Sequence, residues 1–283
     1  MNLEPEMTAR TIEPPSTEGY VSSTRNTSVS SPRTRNSEIN NSEINNSGIS
    51  NPGRVAGLWY LLLCVLGPLR LMYIPNKLFV SGNAAATVNN IAAHQLLFRL
   101  GIVADLACAV ILIFLTLAFY RLFAGVDRNL AVQVVIFGGV MPAVVTFIGV
   151  VSDAAALMIV RGADFLSVFD KPQQDALAML FLRLRNHQNT AAEILWGIWL
   201  LPLAILVYKS RFLPRFLGVW LVINGFAYIT MSLTGVLWPQ YQDKVFIFSQ
   251  PALFGELALM LWLVVKGARP QTLDATSSLS AVG

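Results

Sequence analysis

Five charged side chains lie inside long stretches of otherwise apolar sequence. They are Arg70, Asp105, Asp153, Glu193 and Glu256. A charged side chain at the centre of a bilayer costs about 2.5–3.5 kcal/mol on insertion scales. We therefore expect these groups to face the interior of a helical bundle, where they can form ion pairs or hold a proton, a cation or another ligand.

The positions of these charges along their apolar runs give their depth. Arg70, Asp105 and Glu193 each lie sixteen residues from a basic residue at the opposite end of the run, which corresponds to about 24 Å of helix. Asp153 falls near the same level, and Glu256 lies close to the midplane. The sequence therefore predicts that Arg70 pairs with Asp105 or Glu193, and it places no basic residue clearly at the depth of Glu256.

A polar stripe marks the outer end of the fourth predicted span, because Arg183, His187 and Glu193 fall within about 120° of arc on a helix. Arg99 lies near the same level, six residues before Asp105. The complete candidate cluster consists of Arg70, Arg99, Asp105, Asp153, Arg183, His187, Glu193 and Glu256.

Three functions are compatible with this cluster. The first is binding, sensing or transport of a small molecule, ion or lipid at an outward-facing polar cavity. The second is an intramembrane enzyme that uses buried carboxyl groups as acid and base. The third is a purely structural component in which ion pairs fix the helices. The chain contains no HExxH or GxSxG signature, so the sequence favours a protein that is not an enzyme.

Composition identifies the environment of the chain. The 283 residues are 54% hydrophobic and 13% charged, about half the charged fraction of soluble domains. Six apolar runs are predicted to cross the bilayer as helices, because backbone polar groups in lipid must bond within the segment. These runs are 55–74, 101–123, 130–160, 191–208, 216–237 and 251–265. We therefore predict an all-α integral membrane bundle whose partner is the lipid bilayer. The net charge of +4 is spread thinly, which argues against nucleic-acid binding.

The predicted domain organisation has three parts. Residues 1–53 are rich in Ser, Thr, Asn, Glu and Pro and are expected to form a disordered cytoplasmic tail. Residues 54–268 form the six-helix domain, and residues 269–283 form a second disordered tail. Between the spans, Asn83 and Asp170 are helix-capping residues that predict an interfacial helix from Ala84 and a helix from Lys171 on the outer side.

Metal-binding and redox chemistry have little support in the sequence. Cys64 and Cys108 each lie in the middle of an apolar run, and neither cysteine nor histidine pairs occur at a ligand spacing. We expect no metal and no cofactor.

Several motifs together resemble the bacterial membrane family called domain of unknown function 4386. They are RVAGLWYLL at 54–62, NAAAT at 83–87, LFRLGIVAD at 97–105, AEILWGIWLLP at 192–202, SRFLPRFLG at 210–218 and PALFGEL at 251–257. The resemblance covers about residues 53–267 and implies a multi-span protein of the bacterial inner membrane. It implies no activity. Arg99, Asp105, Glu193 and Glu256 lie within the matching motifs.

Basic residues set the expected orientation. The two shortest loops, 121–129 and 209–215, together carry five basic residues, and short basic loops stay in the cytoplasm. We therefore expect both termini on the cytoplasmic side.

Cysteine labelling tests this orientation. Cysteines introduced at Ser81 and Gln174 are expected to react with an impermeant maleimide applied to intact cells. A cysteine at Asn129 is expected to react only after the cells are permeabilised, and the parent chain with Cys64 and Cys108 sets the background. Labelling at Asn129 from outside would reverse the orientation.

Overall fold

The computed structural model describes residues 51–269, and this part of the chain is helical apart from short connections. Six of its helices are long and apolar enough to cross a membrane. In chain order the helices are α1 Pro52–Leu78, α2 Ala84–Ala93, α3 Gln95–Phe123, α4 Arg128–Val160, α5 Lys171–Lys209, α6 Arg215–Leu237 and α7 Gln242–Val265. Short 3₁₀ turns lie at Asp164–Leu166 and Pro239–Tyr241. The predicted all-α bundle with six spans is confirmed.

Several helices extend well beyond the apolar runs. Helix α5 has 39 residues, or about 58 Å of rise, and it begins twenty residues before its predicted span. Helices α3 and α7 also begin six and nine residues before their apolar runs. An apolar run identifies only the part of a helix that contacts lipid, whereas the caps determine where the helix begins and ends.

The capping residues act as the sequence predicts. Asn83 Oδ1 accepts a hydrogen bond from the Ala86 N–H at 2.9 Å at the start of α2. Asp170 and Gln173 form a reciprocal capping box at the start of α5, with hydrogen bonds of 2.8 and 3.0 Å. Most of the predicted tails, 1–53 and 269–283, lie outside the described residues. Helix α1 begins at Pro52, after the cap residue Asn51.

The turn between α3 and α4 is fixed to the end of α5. Asp127 caps α4 by accepting a hydrogen bond from the Leu130 N–H at 3.2 Å, and Lys209 Nζ lies 3.1 Å from its other oxygen. The Leu130 N–H and the Lys209 ammonium group hold the pKa of Asp127 below its usual value. This contact connects three helix ends on the side where α1 begins.

Two of the long helices are locally widened into π-helical turns. In α1 the turn Leu69–Tyr73 follows Pro68, which has no N–H for the regular helical hydrogen bond. In α4 the turn is Ile136–Val140, where Gly138 and Gly139 pack against side chains of α5 and α3. Arg70 belongs to the first of these turns, so the irregular backbone lies at one of the predicted functional residues.

The apolar core consists of a large cluster and two smaller ones. The large cluster includes Tyr60, Phe119, Leu203 and Leu217, towards the side where α1 begins. A smaller cluster, which includes Ile74, Phe98, Ala156 and Leu182, lies towards the other side. Buried charged residues occur on the same helices within two turns of the smaller cluster. Its apolar side chains therefore lie next to the charged centre of the bundle.

Helices α5 and α6 cross with their backbones in close contact. A Cβ atom at Gly197 would overlap the carbonyl oxygen of Gly225, and one at Gly225 would lie 3.0 Å from the carbonyl oxygen of Gly197. Small residues at a crossing let two transmembrane helices approach closely and gain packing energy. The same contact holds the middle of α5 at a fixed distance from α6.

Substitution of the crossing glycine tests this packing. Gly197→Ala is expected to lower the free energy of unfolding by about 1–3 kcal/mol, because the added methyl group overpacks a closed interface. Gly67→Ala is the matched control, since nothing lies within 4 Å of a Cβ atom at that position. Thermal unfolding in detergent measures both variants. Equal midpoints for the two would show that the crossing tolerates a methyl group.

Candidate functional site: two polar clusters inside the bundle

Four charged side chains meet inside the bundle and form what we call the Arg–Asp network: Arg70, Asp105, Asp153 and Arg185. Arg70 lies 2.8 Å from Asp105 and 2.7 Å from Asp153. Arg185 lies 2.7 Å from Asp105 and 3.3 Å from Asp153. All four residues are buried, with exposed fractions of 7% or less. Each arginine therefore contacts both aspartates, and the formal charges of the network sum to zero.

Each member of the network comes from a different helix. The π-helical turn of α1 provides Arg70, α3 and α4 provide the two aspartates, and α5 provides Arg185. Arg185 also donates a hydrogen bond to Asn189 Oδ1 at 2.6 Å. Gly149 provides space for the Arg185 guanidinium group, because a Cβ atom there would overlap it. The network thus fixes the relative position of four helices.

The network matches the sequence predictions in part. Arg70 pairs with Asp105 as one of the two predicted alternatives, and it also pairs with Asp153. Arg70 forms no ion pair with Glu193. Arg185 is not among the site residues predicted from the sequence. Its signal was present, because Ala178, Leu182, Arg185, Ala192 and Trp199 repeat at helical spacing on the buried face of α5.

Three of the eight predicted cluster residues lie on the surface of the bundle, outside the network. They are Arg99, Arg183 and His187, which are exposed on α3 and α5 towards the side opposite the start of α1 and the end of α7. Arg183 lies 26 residues from Lys209, or about 39 Å of helix, which exceeds the hydrocarbon thickness of about 30 Å. Their side chains are therefore placed to contact solvent or lipid headgroups.

A second group, which we call the glutamate cluster, lies nearer the middle of the bundle: Tyr60, Glu193, Asn224, Tyr228 and Glu256. Tyr60 Oη donates a hydrogen bond to Glu256 Oε1 at 2.5 Å. The Asn224 amide and the Tyr228 phenol lie beside the same carboxyl group, and Tyr228 also lies within electrostatic reach of Glu193. The Trp196 ring packs edge-on against Tyr228, with centroids 5.9 Å apart. Helices α1, α5, α6 and α7 each contribute to this cluster.

The glutamate cluster has unused hydrogen-bonding capacity and no ion pair. Neither Glu193 nor Glu256 lies within ion-pair distance of a basic side chain in residues 51–269. Glu193 Oε2 and both amide atoms of Asn224 are buried and have no hydrogen-bond partner in the same range. Asn224 is fully buried. An unmade hydrogen bond at a buried polar group costs about 1–3 kcal/mol, so this arrangement is expensive unless something occupies it.

The chemistry of the glutamate cluster is that of oxygen ligands. Carboxylate, amide and phenol oxygens coordinate hard cations, hold protons and accept hydrogen bonds from ammonium groups. The side chains that approach Glu256 from α1 and α6 are uncharged, so none of them balances a negative charge on its carboxyl group. Within residues 51–269 no group of three His, Cys, Asp or Glu side chains converges as in a transition-metal site. Both glutamates are among the residues predicted from the sequence, whereas Tyr60, Asn224 and Tyr228 are not.

Removal of one network arginine tests the stabilising role of the Arg–Asp network. Arg185→Ala leaves two buried aspartates with one arginine, and breaking such a pair typically costs about 3–5 kcal/mol. Arg183→Ala is the matched control on the same helix, and its exposed side chain is expected to contribute less than about 0.5 kcal/mol. The double variant Arg185→Ala/Asp105→Ala restores neutrality and is expected to recover part of the loss. Thermal unfolding in detergent measures the stability of all three variants. Similar losses of stability in Arg185→Ala and Arg183→Ala would contradict a stabilising role for the network.

Comparison with known proteins gives a family but no activity. An uncharacterized protein of Archaeoglobus fulgidus is 34% identical over 76 residues, which cover 27% of this chain and 44% of that protein. The chain therefore spans less than half of that relative's length. No solved structure matches this chain. The family model for "Domain of unknown function (DUF4386)" matches residues 55–267, from the first turn of α1 to the end of α7, and the chain therefore belongs to that family.

Proposed function

We propose that this membrane protein binds a small ligand that presents a positive charge to the glutamate cluster, and that it senses or transports this ligand. The observation that carries the proposal is the contrast between the two polar clusters. The aspartates of the Arg–Asp network each contact two arginines, whereas Glu193 and Glu256 contact none in the described part of the chain. A bound cation would supply the missing charge.

The partial burial of the cluster supports this choice of ligand, because Tyr60 and Asn224 are buried and both glutamates are half-buried. Two uncompensated carboxylates in an apolar bundle are costly, because buried charges are tolerated when they are paired or coordinated. The free oxygen of Glu193 and the free amide of Asn224 are the unused contacts a ligand would take. Candidate ligands are an alkali cation, a protonated amine or the amine headgroup of a lipid. The sequence suggested a small molecule, ion or lipid of either charge, and the glutamate cluster restricts this set to ligands with a positive charge.

Access from the outer side completes the proposal. Glu193 lies about 24 Å from the Lys209 end of α5, and therefore nearer the outer side than Glu256. Thr190, three residues before Glu193 on α5, lies 3.5 Å from Gln242 of α7, and we propose that the ligand reaches Glu193 past these polar side chains. We place the protein in the bacterial inner membrane with both termini in the cytoplasm. The Gly53 N–H donates to the Ala268 carbonyl oxygen at 3.1 Å, which is consistent with both ends lying on one side.

Neutral variants of the two glutamates test this function. The probes are a panel of alkali-metal and small organic ammonium salts, added to the purified full chain in lipid nanodiscs. A ligand present at one hundred times its Kd stabilises its protein by about 2.7 kcal/mol. We expect one or more salts to raise the unfolding temperature of the parent chain, and we expect Glu193→Gln and Glu256→Gln to lose that response.

The control and the contrary outcome use the same assay. Asp243→Asn changes an exposed acid at the start of α7 and should keep the full response. Glu256→Gln should unfold at the parent temperature or above it without ligand, because it removes an uncompensated charge, and it should fail to complement a deletion strain. A stable Glu256→Gln variant that retains the salt response and complements fully would disprove the proposal.

A further inference from the structure

The end of the bundle where α1 begins and α7 ends contains an open basic pocket. It has a volume of about 470 Å³ and is lined by Asn51, Arg54, Phe212, Lys266, Gly267, Ala268 and Arg269. Three of these residues are basic and none is acidic. Because α1 starts at Pro52 and α7 ends at Val265, the pocket lies where the two spans leave the hydrocarbon layer.

The backbone beneath the pocket is fixed by a compact set of hydrogen bonds. Asn51 Oδ1 accepts from the Gly53 N–H at 3.0 Å and from the Ala268 N–H at 3.1 Å. Gly267 adopts a positive φ of 70°, and a Cβ atom there would overlap the Asn51 side chain. These hydrogen bonds therefore hold the N-terminal end of α1 against the C-terminal end of α7. Arg54 and Lys266 lie on these two joined ends.

An apolar surface leads away from the pocket along the spans. On α1, Leu58 and Leu62 follow Arg54 at helical spacing and are 57% and 48% exposed. On α7, Val265 precedes Lys266 and is 64% exposed. A molecule with a negatively charged head and an acyl chain matches this sequence of surfaces, with the head in the pocket and the chain along the exposed helix faces.

We infer that this pocket binds the phosphate group of an anionic lipid of the leaflet at that end, and that Arg54, Lys266 and Arg269 are its cationic contacts. Guanidinium and ammonium groups form charge-assisted hydrogen bonds to phosphate oxygens, and basic groups at a membrane surface attract anionic lipids. The site is separate from the glutamate cluster, and its ligand has the opposite charge. Its presence or absence is therefore independent of the function proposed above.

Native mass spectrometry of the full chain tests this site, with phosphatidylglycerol as the probe and phosphatidylcholine as the zwitterionic comparison. The pocket variant combines Arg54→Gln, Lys266→Gln and Arg269→Gln. The control variant combines Arg121→Gln, Arg128→Gln and Arg211→Gln, three exposed basic residues at the same end with the same total charge change. We expect the apparent Kd for phosphatidylglycerol to rise at least tenfold in the pocket variant and less than twofold in the control variant.

The other outcomes separate the sources of the phosphate group. Inorganic phosphate and glycerol 3-phosphate are added as competitors, and neither should displace the lipid at equal concentration if the acyl chain contributes. Displacement by either soluble phosphate would assign the pocket to a soluble ligand and overturn the lipid assignment. Equal losses in the pocket and control variants, or no preference for phosphatidylglycerol over phosphatidylcholine, would show that net charge alone attracts lipid and that there is no site.

Discussion

Arg70 and Arg185 each contact both Asp105 and Asp153, and the rest of the bundle depends on this fourfold contact. Any one of these charges would be costly inside a membrane, but the set is neutral and its members are within ion-pair distance of one another. Since every member comes from a different helix, the charges balance only when α1, α3, α4 and α5 are all in register. A slip of any helix would strand a buried charge, so the network selects one arrangement among the many that apolar packing alone would permit.

The glutamate cluster follows the opposite rule. Glu256 has uncharged neighbours, and Glu193 has a buried oxygen with no partner in the described residues. A bundle that neutralises one pair of acids so completely could have neutralised a second pair in the same way. Within residues 51–269 the two glutamates have no ion pair, whereas each aspartate of the network has two. This contrast distinguishes the glutamates from the aspartates. Under the function proposed above, the network charges hold the helices and the glutamates are the charges that a ligand contacts.

Depth arithmetic explains what the sequence could predict and what it could not. Counting residues from the helix ends put Arg70 and Asp105 at one level, and the structure joins them. The same count put Glu193 at that level, and this was wrong: the network residue of α5 is Arg185, and Glu193 lies about 12 Å of helix rise from it. Viewed along α5, Arg183 and Arg185 lie about 80° to either side of Glu193. The angle to Glu193 therefore could not show which of the two arginines faces the interior of the bundle. The contact of Tyr60 with Glu256 joins the first and last spans, which are distant in the chain, so spacing along either helix could not predict it.

Helices α1 and α5 belong to both clusters, and this shared membership constrains any mechanism. Arg185 and Glu193 are eight residues apart on α5, or about 12 Å of helix rise, with Asn189 hydrogen-bonded to Arg185 between them. The network therefore sets the height and rotation of α5 and, with them, the position of Glu193. By contrast, α6 and α7 provide Asn224, Tyr228 and Glu256 but no member of the network. Any ligand-dependent movement at the glutamate cluster should thus occur in the parts of α6 and α7 that lie beyond the contact of Gly197 with Gly225 and beyond the joined ends of α1 and α7.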